Sequence, residues 1–232
     1  MNLNFLIKNF ASKILPDAFF LKYFARLPEF NTWLKQHTVS EKPSFSIREE
    51  LYEHVYNNHL QERALAYFEM GVWYGAAIKT WCSLDSNKDS KYFGFDTFEG
   101  LPEVWEGLTA NAEVGTFNVG GSIENVKISD PRVSLIQGLF QDTVPHFLEQ
   151  NDLSSAGARV LHIDSDLYSS ALFCLTAFDR ILRSGDIIIF DELSSMDEFR
   201  ALQDYSISYR RNYEVLGHAG EYYQHVAIKL ID

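Results

Sequence analysis

The sequence is poor in the features that would assign it to several large classes. It has two cysteines in 232 residues, Cys82 and Cys174, far apart and without a C-x-x-C pair. That gives no disulfide framework and no cysteine metal site; two buried free thiols in a reducing compartment are expected. No run is long and apolar enough to span a bilayer. The N-terminal "MNLNFLIKNFASKIL" has no small-residue cleavage site behind a compact apolar run, so it does not read as a signal peptide and the cytoplasm is expected. Positive charge is scarce: 20 Lys and Arg stand against 32 Asp and Glu, a net charge of −12. Such a chain is unsuited to broad contact with a nucleic-acid backbone. The G-x-G-x-x-G dinucleotide fingerprint is also missing.

What is present suffices for one large domain with an extension. Apolar residues make up 46% of the chain and aromatic residues 15%. Residues 1–48 stand apart: "FLIKNFASKILPDAFFLKYFARLPEF" mixes Phe, Leu and Ile with Lys and Arg at roughly helical spacing, broken by Pro16, Pro28 and Pro43. A helical extension packing on the main domain or on a second subunit is expected, in preference to a helix lying on a membrane surface. From residue 49 the pattern alternates. Strands are expected at "ALAYFEMGV", "KYFGFD", "RVSLIQG", "ARVLHIDSD" and "DIIIFDEL". Helices are expected at "SIREELYEHVYNNHL", "GAAIKTWCSL", "DTVPHFLEQ", "SALFCLTAFDRILRSG" and "SMDEFRALQDYSISYRR". Two last strands, "YEVLGHA" and "YYQHVAIKL", are joined by a brief turn and must be antiparallel. This is an α/β pattern with a mostly parallel sheet and an antiparallel C-terminal hairpin. Thr97 to Lys127 is too long for a plain connection and reads as a functional lid carrying Trp105 and Phe117.

In such a sheet ligands sit beyond the carboxyl ends of the strands. Nearly every strand here delivers an acid or a glycine to that edge: Glu69, Gly71 and Gly75; Asp96 and Glu99; Gln137, Gly138 and Asp142; Asp164 and Asp166; Asp191 and Glu192. Gly71 and Gly75 frame a strand-to-helix turn where a ligand can approach the backbone. Asp96 follows Gly71 by 25 residues, at the end of the next strand, where an acid can accept hydrogen bonds from a ribose diol. Glycine turn and ribose acid without a pyrophosphate motif favour a nucleoside cofactor that lacks a pyrophosphate. The four carboxylates of "HIDSDLYSS" and "IIIFDEL" would repel one another and resist desolvation unless something offsets the cost. A hard divalent cation would do so. His162 shares a face with Asp164 and is expected to be a satisfied core histidine or a partner behind the acids. His218 and His225 have no ligand partner in view.

The stretches "FEMGVWYGAAIKTW", "FGFDTFEGLPE", "FQDTVPHFL", "LHIDSDLYSSALFCL" and "GDIIIFDEL" resemble, in order and spacing, the macrocin O-methyltransferase (TylF-type) family. The resemblance covers residues 49–232. It implies a class I methyltransferase, Rossmann-like sheet and an S-adenosylmethionine-dependent, divalent-metal-assisted O-methyltransferase acting on a hydroxyl of a sugar or glycosylated natural product. It implies Mg²⁺ on Asp164, Asp191 and Glu192, with Asp166 as general base. At the acidic pair the family often has Asp-Asp where this chain has Asp-Glu. The cofactor is expected against Glu69, Gly71, Gly75, Asp96, Thr97, Phe98, Gly100 and Asp142. The expected partner is a small-molecule or glycan acceptor with adjacent hydroxyls, and the expected assembly is a homodimer. Two other readings stay open: a nucleotide-dependent oxidoreductase on a similar sheet, and an inactive binding module that keeps the fold.

Overall fold

A computed structural model describes residues 25–106, 111–153 and 156–231. Its centre is three strands with every residue buried: β2 (Leu65–Met70), β7 (Ala158–Ile163) and β8 (Ile187–Phe190). They are apolar runs rather than alternating ones because both faces of the sheet are covered. Period-two geometry still sorts their side chains. Ala66, Phe68 and Met70 enter one core cluster, whereas Leu65 and Tyr67 enter the other.

Around these strands lie β1 (Ser44–Phe45), β3 (Lys91–Asp96), β6 (Val133–Gln137), β9 (Tyr213–Ala219) and β10 (His225–Leu230). The order across the sheet is β1-β9-β10-β8-β7-β2-β3-β6. β10 runs antiparallel to both β8 and β9, and the other pairings are parallel. The described helices are α1 (Leu27–Gln36), α2 (Arg48–Val55), α3 (Ala76–Leu84), α4 (Phe140–Gln150), α5 (Tyr168–Phe178) and α6 (Asp197–Tyr209). Phe30, Phe147, Phe178 and Phe199 place α1, α4, α5 and α6 on one face; Leu51, Tyr52, Ile78 and Trp81 place α2 and α3 on the other. This is a mostly parallel α/β sandwich with an antiparallel hairpin, as the sequence pattern predicts.

The chain leaves β2 toward β3 and β6, then crosses back to β7 and on to β8. The order therefore reverses between β2 and β7, which opens a crevice at their carboxyl ends. Several elements differ from the expected ones. The helix expected from Ser46 begins at Arg48 and passes at Tyr56–Leu60 into a π turn. The helix expected to run to Gly185 ends at Phe178. The long connection after Asp96 carries a small hairpin, β4 (Trp105–Glu106) with β5 (Asn111–Ala112). Of the N-terminal extension, residues 1–24 and the membrane-surface reading that falls on them lie outside the described residues. Its described part holds α1 and also β1, which pairs with β9 at the sheet edge.

α1 is fixed by aromatic packing. Phe199 of α6 is fully buried, with its ring 4.9 Å from that of Phe30 and 5.8 Å from that of Trp33. Trp33 Nε1 donates to Tyr213 Oη at 2.9 Å. Phe199→Ala should therefore cost about 3–5 kcal/mol of stability, read by urea unfolding. A cost near that of a surface change would show that α1 does not pack as described.

Candidate active site

Backbone geometry at Gly71 builds the crevice. Gly71 has φ +102°, and a Cβ there would lie 1.8 Å from the Asp164 carbonyl oxygen. Only glycine lets the end of β7 close against the end of β2 in this way. The turn is then held from β3. Asp96 Oδ2 accepts from the amides of Val72 and Trp73, both at 2.8 Å, and Oδ1 accepts from Phe98 N at 2.7 Å. The Asp96 carboxylate thus braces the glycine turn as well as facing the cleft. Gly71, Trp73, Asp96, Thr97, Asp164 and Asp166 are among the residues lining one cleft.

Asp164 and Asp166 line this cleft, and the other acids gather behind them. The register Ile163↔Phe190 between adjacent parallel strands sets Asp164 beside Asp191. Arg48, the first residue of α2, reaches between them. Its Nη1 donates to both Asp191 oxygens at 2.8 Å and lies 3.5 Å from Asp164 Oδ2. His225 Nδ1 lies 3.2 Å from Asp191 Oδ1, and His162 Nε2 lies 3.7 Å from the same oxygen. His162 is fully buried, its Nδ1 2.8 Å from Tyr67 Oη, which donates to Glu69 Oε2 at 2.6 Å. Glu192 turns toward Gln224, whose Nε2 donates to Oε1 at 2.6 Å. The Glu192 amide donates to Glu198 Oε2 at 2.9 Å.

Proton affinities follow from this crowding. Burial pushes Glu69 up to about 8, against the Tyr67 hydrogen bond and the Arg48 charge. Burial also pushes Asp166 up to about 7, helped by the charges of Glu192 and Asp191. Asp164 and Asp191 diverge. Burial and the neighbouring Asp191 and Asp166 charges raise Asp164 well above the usual range. Burial opposes ionisation of Asp191 too, but the His162 and His225 rings and the Arg48 guanidinium outweigh it, so this carboxylate stays ionised. Burial raises the fully buried Glu198 strongly.

A divalent cation fits this donor set. Ligand atoms of His162, Asp164 and Asp191 lie within 4.8 Å of one another. Glu198 Oε1 is buried without a hydrogen-bond partner, on the side of Asp166, Asp191 and Glu192. An excess of buried carboxyl groups with an orphaned oxygen is what a cation would resolve. If His162 Nε2 were a ligand, Nδ1 would stay on the Tyr67 hydroxyl, itself bonded to Glu69, the outer support such imidazoles normally have.

The expected site residues divide accordingly. Gly71, Asp96, Thr97, Gly100, Asp164 and Asp166 line the cleft. Asp191 lies behind Asp164 under Arg48, and Glu192 is held by Gln224. Glu69 is buried beneath the turn rather than in the cleft. Phe98 is fully buried, Asp142 is exposed in the first turn of α4, and Gly75 starts α3 against the Ile128 side chain; none of the three lines the cleft. Trp105, expected to cover the acceptor, is instead packed with Leu101 and Leu167, while Phe117 does line the cleft. Sequence reasoning missed Arg48, His225 and Glu198. The antiparallel register of β10 on β8, with Val226↔Phe190, held the signal for His225.

The sheet order with its antiparallel hairpin is that of the class I methyltransferase fold. Comparison with known proteins narrows the class. The family model for macrocin O-methyltransferase (TylF) matches residues 49–215. The chain belongs to that family, whose members are S-adenosylmethionine-dependent O-methyltransferases. Among solved structures it is similar to CalS11, a calicheamicin methyltransferase, at 23% identity and TM-score 0.62, over 78% of each chain. It is similar to the O-methyltransferase NovP at 21% identity and TM-score 0.60, over 80% of each chain. A structure of cmcI with Mg and S-adenosylmethionine has 14% identity and TM-score 0.51, over 79% of this chain and 71% of that one. A methionine–tRNA ligase of Psychrobacter sp. (strain PRwf-1) is 35% identical over 99 residues. That match takes in 40% of this chain, which spans only 11% of the ligase's length.

The raised Glu69 carboxyl has a sign that can be checked. Between the ordinary value of 4.5 and about 8, the folded chain holds a proton that the unfolded chain releases. Stability is then complete below the lower value and lost as pH rises through the upper one. Glu69→Gln should flatten the fall in urea-unfolding free energy between about pH 5 and about pH 8, by up to about 1.4 kcal/mol per pH unit. An unchanged slope would show that Glu69 ionises freely in the folded chain.

Proposed function

We propose that the chain methylates a hydroxyl of a sugar or glycosylated natural product, with S-adenosylmethionine bound over the glycine turn. The observation that carries this reading is a shared opening. The turn at Gly71, the Asp96 brace and the acids Asp164 and Asp166 line one cleft, so a cofactor on the turn would face an acceptor above the acids. Gly71, Thr97 and Gly100 would offer backbone to the cofactor, and Asp96 Oδ1, which accepts from Phe98 N, would also accept from a ribose hydroxyl. Phe117 and Trp73, with rings 6.0 Å apart and both partly exposed, wall the mouth.

Asp166 takes the hydroxyl proton as the acceptor oxygen attacks the methyl carbon; the carbon–sulfur bond breaks and its electron pair stays on sulfur, leaving the thioether product. Holding oxygen, carbon and sulfur in line supplies much of the rate. A divalent cation on Asp164, Asp191 and Glu192 would act as a Lewis acid that orients adjacent acceptor hydroxyls and lowers the pKa of one. Glu192 would have to turn from Gln224 to join it. The net charge of −12 supports a small acceptor over a nucleic acid, and two unpaired cysteines fit a cytoplasmic setting. No described helix is long and apolar enough to cross a membrane.

Calorimetric titration with S-adenosylmethionine and S-adenosylhomocysteine, with and without Mg²⁺, tests the reading. Wild type should bind both, and Asp96→Asn should weaken binding by about tenfold or more. No binding of either compound under any metal condition would overturn the methyltransferase reading. Once an acceptor is in hand, Asp166→Asn should lower turnover about 10²–10⁴-fold while cofactor binding persists. Unchanged turnover would remove Asp166 as the base.

A further inference from the structure

The carboxylates that would hold a divalent cation already hold a cation of the chain itself. Arg48 Nη1 makes two 2.8 Å contacts with Asp191 and one 3.5 Å contact with Asp164, so it sits in the gap between the two groups. A guanidinium and a metal ion cannot share that gap. Both are cations, and at such distances their repulsion is worth several kcal/mol even at a protein-like dielectric. The Asp191 oxygens are also taken: Nη1 contacts both, and His225 stands at 3.2 Å from one.

Arg48 has somewhere to go. Its side chain is about a quarter exposed, and its Nε lies 3.7 Å from the carboxylate of Glu49, which is more exposed still. Arg48 is the first residue of α2, three positions beyond β1, so its backbone is anchored while its side chain is long enough to swing. An arginine bonded inward to buried acids and flanked outward by a solvated acid has two charge-satisfied positions.

We propose that Arg48 is the resident cation of the Asp164–Asp191 pair, and that a divalent cation binds there only by displacing the Arg48 side chain toward Glu49. The proposal rests on the metal-assisted reading of the same site. It makes metal affinity a difference between two occupancies, set by a residue that need touch neither the acceptor nor the cofactor. The metal-free chain then keeps its acids compensated instead of leaving them to repel one another.

Mn²⁺ binding, read from the electron paramagnetic resonance signal of the free ion, tests this on wild type, Arg48→Gln and Arg48→Lys. S-adenosylmethionine binding is measured on the same samples. Arg48→Gln should bind Mn²⁺ at least about tenfold more tightly than wild type. Arg48→Lys keeps the charge but loses the hold on both Asp191 oxygens, and should lie between the two. Should the Gln variant fail to fold, the Lys variant decides: Mn²⁺ binding no tighter than wild type overturns the proposal. Equal or weaker Mn²⁺ binding by a folded Arg48→Gln overturns it as well, and would recast Arg48 as a support for the metal site. Absence of Mn²⁺ binding in all three proteins overturns both the displacement and the metal reading. Retained S-adenosylmethionine binding in that case leaves the methyltransferase reading standing.

Discussion

Glu69, Asp164, Asp166, Asp191, Glu192 and Glu198 crowd toward the carboxyl end of one sheet, and the Arg48 guanidinium meets Asp164 and Asp191 among them. Most of these groups are buried, so each ionised one must be compensated or must keep its proton. The arrangement uses both solutions. Asp191 stays charged among Arg48, His162 and His225, while Asp164, Glu69 and Glu198 are held toward the neutral form. Much of the local architecture answers to this constraint. α2 begins where its first residue can reach the acids, and β10 lies where His225 can face Asp191.

The same crowding gives the cleft its chemical contrast. One side is mostly backbone: a glycine turn braced by the Asp96 carboxylate and the chain around Gly100, where the Thr116 carbonyl would lie 2.3 Å from any Cβ. The other carries the carboxyl groups of Asp164 and Asp166. In the proposed reaction the first side would take the cofactor and the second the hydroxyl that loses its proton. Among the cleft's non-glycine residues, Trp73 and Asp166 hold left-handed backbone, with φ of 50° and 59°. Such conformations cost of order 1–3 kcal/mol each.

The strands were legible because interior strands of a parallel sheet are apolar runs, and each ended at an acid or glycine that marked the edge. Adjacency of Asp164 and Asp191 was legible for the same reason, since consecutive parallel strands commonly neighbour one another. Arg48 was not, because nothing in a helix-opening arginine announces a carboxylate 143 positions away. Glu198 reads in sequence as a first-turn acid favoured by the helix dipole, and only the packing shows it buried. Trp105 was misplaced because an aromatic residue in a long loop can serve a cleft or a small core of its own, and Leu101 and Leu167 decide for the core.

The position of β10 bears on how the chain is made. It follows both β8 and β9 in the chain yet inserts between them, so the sheet cannot close until β10 has been made. Until then the end of β8 emerges with Asp191 and Glu192 lacking His225 and Gln224. Long-range pairing of this kind is slow and leaves a strand edge open in the meantime. On a ribosome the nascent chain would carry its future acidic floor as an unfinished, self-repelling edge. β10 would then act as the closing clasp of the sheet.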